Sequence, residues 1–157
     1  MSGKDFNKYN YSSIIDMRGM FYNIKENIPN ISTLDVSNVT NMESMFEDSA
    51  FNQDISNWDV SNVTYMCHMF HNTPFNNDIS KWNVDTTLSI DFMFKNSNIN
   101  NLNSLPYKFH KEENLYSIFS DISKCLKLNP TLKMLNVIKK NEIIDDFELK
   151  ILESLIK

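Results

Sequence analysis

The residues best equipped for chemistry lie in one short run, Cys67-His68-x-x-His71, with His110 and Cys125 elsewhere in the chain. Thiolate and imidazole are zinc ligands, and a tetrahedral site needs four converging groups. The run supplies three, and the positions 24 residues on either side carry Glu43, Ser44, Asp91 and Phe92, so ligation is not a repeated property. The cluster reads as incidental. Cys67 or Cys125 beside a histidine could form a nucleophile pair, but no third group that would orient the base is visible. A glycine-rich phosphate loop, G-x-S-x-G and H-E-x-x-H are all missing. Paired carboxylates for acid–base work cannot be assigned without a pocket. The expectation is a non-enzymatic protein with no metal and no cofactor.

Composition narrows the classes further. The chain has 157 residues, 41% hydrophobic and 22% charged, the size and balance of one ordinary domain with a core of its own. Its net charge of −5 leaves no footprint for nucleic acid and no polybasic membrane patch. Two cysteines make no disulfide framework. Neither a signal-peptide core nor a run of about 18 apolar residues is present, so no membrane insertion and a cytoplasmic location are expected. Only two glycines, against nine methionines and eleven phenylalanines, argue against folds rich in left-handed turns. Abundant asparagine compensates in part, because Asn tolerates that backbone.

The elements that must position any site come from a repeat. FNQDISNWDVSNVTYMCHMF (residues 51–70) returns as FNNDISKWNVDTTLSIDFMF (residues 75–94), a period of 24 residues. Upstream, Ile31, Leu34, Val36, Val39, Met42, Met45 and Phe46 keep the spacing; Phe6, Tyr9, Tyr11, Ile14, Met17, Met20 and Phe21 form an earlier unit, and Leu102, Leu105 and Tyr107 begin a fifth. Within a unit, Trp58-x-Val60 alternates with period two, which predicts a short strand. Met66, Met69 and Phe70 share one face of a short helix, which Thr64 can cap. Such a unit cannot close a core alone, and stacking its neighbours does. The expected fold is therefore α/β: a solenoid of about five short strand/helix units over residues 1–110, starting near residues 6, 31, 55, 79 and 102. The spine Ile55-x-x-Trp58-x-Val60 matches the L-x-x-L-x-L pattern of leucine-rich repeats, with Asn62 near their usual asparagine.

DVSNVTNMESMF (residues 35–46) and the segment 51–70 resemble the repeat of the BspA-like leucine-rich-repeat family. That family occurs in bacterial surface proteins and in protist and viral ones. The resemblance is strong over residues 34–94, weak over 6–33 and ends near 110. It implies adhesion or partner binding rather than catalysis, and a cell-surface or secreted location as the alternative to the cytoplasm.

From Lys111 the spacing becomes helical. Leu115, Ile118, Phe119, Ile122 and Leu126 mark one face, Asn129-Pro130 suits a helix start, and a last helix beginning at Asn141 or Asp145 would turn Phe147, Ile151, Leu152 and Leu155 inward. Residues 111–157 are expected to cap the open end of the stack or to form an appended helical module.

The residues between the strand positions would face outward in columns: Asn10, Asp35, Asp59, Asn83 and Pro106; Ser12, Ser37, Ser61 and Asp85; Lys8, Thr33, Asn57, Lys81 and Ser104. With strands about 4.8 Å apart, Asp35 and Asp59 would be close like charges that need an answering donor. Two readings stand side by side: turn-capping side chains, or a polar face that recognises a protein or a glycan. On the second, Asn10, Asp35, Asp59, Asn83, Ser37, Ser61, Asp85, Asn57 and Lys81 are the candidate binding residues. A structural or adhesin-type role and, remotely, an enzyme within the tail are the alternatives.

Overall fold

A computed structural model describes residues 11–128. Asn10 and the start of the first unit lie outside the described residues, as do the helices expected from Pro130 onward.

The α/β reading does not survive. Among the described residues no sheet forms: extended pairing is limited to isolated parallel bridges, Asp16 with Asn41, Asn41 with Tyr65, and Tyr65 with Ser89. No helix occurs between residues 11 and 101. What replaces strand and helix is a chain of tight turns in each unit. Where the Trp-x-Val strand was expected, Trp58 N–H donates to the Ile55 carbonyl (3.1 Å) and Val63 N–H to the Val60 carbonyl (2.9 Å). The same pairs recur as Leu34 to Ile31 and Val39 to Val36. The spacing that matters is three, and the period of two is a by-product. Asp side chains accept local backbone N–H groups here and compete successfully with a ladder.

The expected helix fails for a different reason. Over residues 66–72 the N–H groups alternate in direction. Those of Met66, His68, Phe70 and Asn72 reach the carbonyls of Ser89, Asp91, Met93 and Lys95 in the next unit at 2.9–3.0 Å, while those of Met69 and His71 turn back to Met66 and His68. Residues 42–48 repeat this one unit earlier, donating to Tyr65, Cys67, Met69 and His71. The alternation needs left-handed backbone at every fourth residue. One column is Gly19, Ser44, His68 and Phe92 (φ 53–59°), and the other is Asn23, Asp48, Asn72 and Asn96 (φ 53–58°). A segment this short gains too few internal bonds to nucleate a helix, whereas passing alternate N–H groups sideways satisfies them all.

Side chains align between units accordingly. Phe21, Phe46, Phe70 and Phe94 stack at centroid separations of 5.5, 5.6 and 5.4 Å. Phe51 and Phe75 lie against this column at 3.7 Å from Phe46 and 4.0 Å from Phe70. These rings are buried, each stabilising by roughly 2–3 kcal/mol from area alone. Outside, Asn72 Nδ2 donates to Asp48 Oδ1 and Asn96 Nδ2 to Asn72 Oδ1, both at 2.8 Å.

The C-terminal end closes differently. After 3-10 turns at Leu102–Ser104 and Tyr107–His110 come α1 (Glu112–Phe119) and α2 (Ile122–Leu128). Carbonyls of Ser117 and Ile118, unused within α1, accept the N–H groups of Phe92 and Phe94 at 2.8 Å, and Phe119 extends the aromatic column at 5.9 Å from Phe94. No helix among the described residues is long and apolar enough to cross a membrane.

Candidate binding face

The first two expected columns are joined by one local device. Asp35 Oδ1 accepts Ser37 N–H (3.1 Å) and Ser37 Oγ (2.7 Å). Asp59 Oδ1 accepts Ser61 N–H (3.1 Å), and Asn83 Oδ1 accepts Asp85 N–H (3.1 Å). The Asx turn fixes the side chain and so orders the column. Asp35, Asp59, Asn83, Asp85, Asn57 and Lys81 are exposed, and Ser37 and Ser61 partly so. Asp35 and Asp59 lie close enough for their charges to act on each other, and Asp35, Asp59 and Asn83 each carry a turn-capping bond. Asn10 falls outside the described residues.

Charge follows from the same bonds. The Ser37 hydroxyl, then the Ser37 N–H, hold the Asp35 carboxyl below the usual carboxylate range. Asp59 is held low by Ser61 in the same way, with the charge of Asp35 working against it. The carboxylates stay ionised although stacked.

Two further sets were not anticipated. Asp54 and Asp78 form a second acidic column, their Oδ1 atoms accepting Ser56 N–H (2.9 Å) and Ser80 N–H (2.8 Å). Those N–H groups are the chief reason both carboxyls are held low. With Ser56, Asn77 and Lys81 they line a depression of about 250 Å³. The signal was present as a second D-x-S at residues 54–56 and 78–80, with Asn30-Ile31-Ser32 in the same place one unit earlier. The other set satisfies turn carbonyls between units: Asn38 Nδ2 donates to the Ser12 carbonyl (2.8 Å), Asn62 Nδ2 to Ser37 (2.7 Å) and Thr86 Oγ1 to Ser61 (2.6 Å). In the last unit Lys108 Nζ takes over, donating to the carbonyls of Val84, Asp85 and Thr87 at 2.9, 3.1 and 3.0 Å. Nothing in the repeat pattern marks that lysine.

In the cysteine–histidine run the His68 and His71 rings lie 5.5 Å apart, and each has a further neighbour. His71 Nδ1 lies 2.9 Å from Glu47 Oε1, and the His68 ring stacks on Phe92 at 5.1 Å. Burial pushes the Cys67 thiol up. His110 Nε2 bonds the Leu105 carbonyl at 3.1 Å. Cys125 is buried, donates to the Leu115 carbonyl at 3.4 Å, and is pushed up to about 12 by that burial. A thiol so held is a poor nucleophile. Among the described residues no three His, Cys, Asp or Glu side chains converge as a metal cluster.

No curated protein and no solved structure matches this chain. A family model does match, over residues 1–109, which takes in all four stacked units. On that match the chain belongs to the family described as "Mycoplasma protein of unknown function, DUF285".

Proposed function

We propose that this chain is a BspA-like relative and a non-enzymatic protein-binding module, docking its partner on the exposed face made by Asp35, Asp59, Asn83 and Asp85, flanked by Asn57 and Lys81. The observation that carries this reading is that the side chains at corresponding positions are held by their own turns. Asp35 and Asp59 use Oδ1 for the turn, which fixes where their charge stands before any partner arrives. Prior ordering of this kind lowers the entropy cost of association.

The test separates charge from turn capping. Asp35→Asn, Asp59→Asn and Asp85→Asn together keep an acceptor at each turn and remove the charge. Affinity capture with mass spectrometry, comparing native chain and triple variant, should lose the partner in the variant while the melting temperature stays within a few degrees. A partner retained by the folded variant rules out this face.

A further inference from the structure

The two ends of the stack leave exposed what inner units cover. At the N-terminal end, the carbonyls of Asp16, Arg18, Met20 and Tyr22 have counterparts one unit on at Asn41, Glu43, Met45 and Glu47, each of which accepts an N–H. No backbone N–H among the described residues reaches the first four. Ile24 stands in the column of Ser49, Thr73 and Ser97, which are buried, and is itself 40% exposed. Ile15 and Tyr22 are 61% and 52% exposed where the next unit carries Thr40 and Glu47. Terminal repeats stay soluble by turning a polar face outward. This one turns apolar side chains outward.

The opposite flank is apolar too, and it carries donors. Leu88 is 78% exposed in the column where inner units place Thr40 and Thr64. Tyr107 follows Val36, Val60 and Val84 in the repeat; those three are buried, and it is 83% exposed. Lys108 pins this segment beside Leu88 through the Thr87 carbonyl. Tyr107 and Lys111 are both on the surface, and neither the hydroxyl nor the ammonium has a hydrogen-bond partner among the described residues. Of the six large apolar side chains exposed among the described residues, all but Tyr65 lie at these two ends. Clustering of that kind marks a contact surface, where single scattered residues do not.

We propose that the protein associates head to tail with a second copy, the residue 15–24 edge of one docking on the Leu88 and Tyr107 flank of the next. Ile15, Tyr22 and Ile24 supply apolar area on one side, Leu88 and Tyr107 on the other. The open carbonyls meet the Lys111 ammonium and the Tyr107 hydroxyl, which are donors. Both cations of the N-terminal edge are tied down locally, Arg18 by Asp16 at 2.9 Å and Lys25 by the Asp48 carbonyl. Like ends do not suit each other. Two N-terminal edges would set carbonyl against carbonyl, and two Tyr107 flanks would set Lys111 against Lys111. A contact between unlike patches continues from copy to copy. Neither patch includes the column face of Asp35 and Asp59, so failure of this contact leaves the docking proposal standing.

Sedimentation velocity on the full chain, from about 10 μM to about 1 mM, spans the dissociation constants of a small contact. The mass should rise with concentration past that of a dimer. Ile15→Asp with Tyr22→Asp blocks one end, and Leu88→Asp with Tyr107→Asp blocks the other. Each double variant alone should associate at least about tenfold more weakly, because an unpaired carboxylate is costly to bury. All four positions are exposed, so a melting temperature within a few degrees of the native chain's certifies the fold. Mixed in equal amounts, the two variants should form one-to-one dimers and nothing larger, since each keeps the end that the other lacks. A native chain that stays monomeric overturns the proposal. So does a folded double variant that associates as the native chain does, or a mixture that stays monomeric or grows past dimers.

Discussion

Within residues 31–96 each unit is finished by the next one, whereas the unit that ends near residue 96 is finished by something unlike itself. The demands are the same at both places: alternate N–H groups need carbonyls, turn carbonyls need donors, and a phenyl ring needs a ring on its open side. Inside the stack, Asn62 gives one N–H to one carbonyl. At the end, Lys108 alone covers three, Lys124 covers the Ser97 carbonyl, and Phe119 supplies the ring. The difference teaches that the array stops by matching its own unmet bonds, using two cations where the turn carbonyls of inner units take side-chain amides and a hydroxyl.

The largest effect should come from the interior column. Phe70 is packed between Phe46 and Phe94, and Phe70→Ala should lower unfolding free energy by roughly 3–5 kcal/mol in urea titration. Phe119→Ala, with a neighbour in the column on one side, should cost less. Equal losses would mean that end and interior are not energetically distinct.

Next comes the closure itself. Lys108→Met keeps the stem and strips the Asp85 and Thr87 carbonyls of the lysine donor, leaving Val84 with only the Thr87 N–H, which should cost about 2–3 kcal/mol, against about 1 kcal/mol for Asn62→Ala. The same titrations measure both. An Asn62 variant as damaging as the Lys108 one would remove the special status given to the end.

Backbone strain gives a smaller effect of opposite sign. Gly19 occupies the left-handed position that Ser44, His68 and Phe92 hold with side chains. A side chain there costs about 1 kcal/mol, partly offset by the freedom glycine regains on unfolding. Ser44→Gly should therefore raise stability by about 0.5 kcal/mol, seen as a higher melting temperature.

Smallest is the acid response of the turns. Asp35, Asp54, Asp59 and Asp78 are held low by serine donors. Their folded-state values thus lie below the unfolded one of about 3.9. The stability they lend is complete above that pH and drains away as pH falls through the folded values. Solvent screening keeps it slight. Urea midpoints measured from pH 6 to pH 2 should drop less in Asp35→Asn/Asp59→Asn than in the native chain.

The stacking positions were legible because apolar residues at a fixed period have few alternatives: Trp58, Val60, Met66, Met69 and Phe70 are all buried. The local conformation was misread at two places. Trp58-x-Val60 alternates, yet Asp59 Oδ1 accepts the Ser61 N–H and turns the chain. Met66, Met69 and Phe70 have helical spacing, yet a chain of three-residue turns repeats apolar positions almost as a helix does, and only the left-handed φ of His68 and Asn72 tells them apart. Low glycine content hid that backbone, since serine, histidine and even phenylalanine adopt it here. Of the candidate site, the repeated spacing of Asp35, Asp59 and Asn83 was readable, because each sits two residues before the N–H it accepts. Lys108 and Lys124 were not, because they answer the unit ending near residue 96, which among the described residues is followed by 3-10 turns and helices instead of another full unit.

Within the turn ribbon, the N–H groups passed sideways by residues 42–48, 66–72 and 92–94 point toward the C-terminal neighbour, whereas those of Thr40, Thr64 and Leu88, outside it, point back to the preceding unit. The ribbon's own bond dipoles add along the stacking axis instead of cancelling, so the turn ribbon is polarised, with its positive pole at residues 92–96. The piece set against that pole is the carbonyl end of α1, the negative pole of a helix. A helix presented the other way round would meet like with like. The polarity of the ribbon thus selects the orientation of what can terminate it.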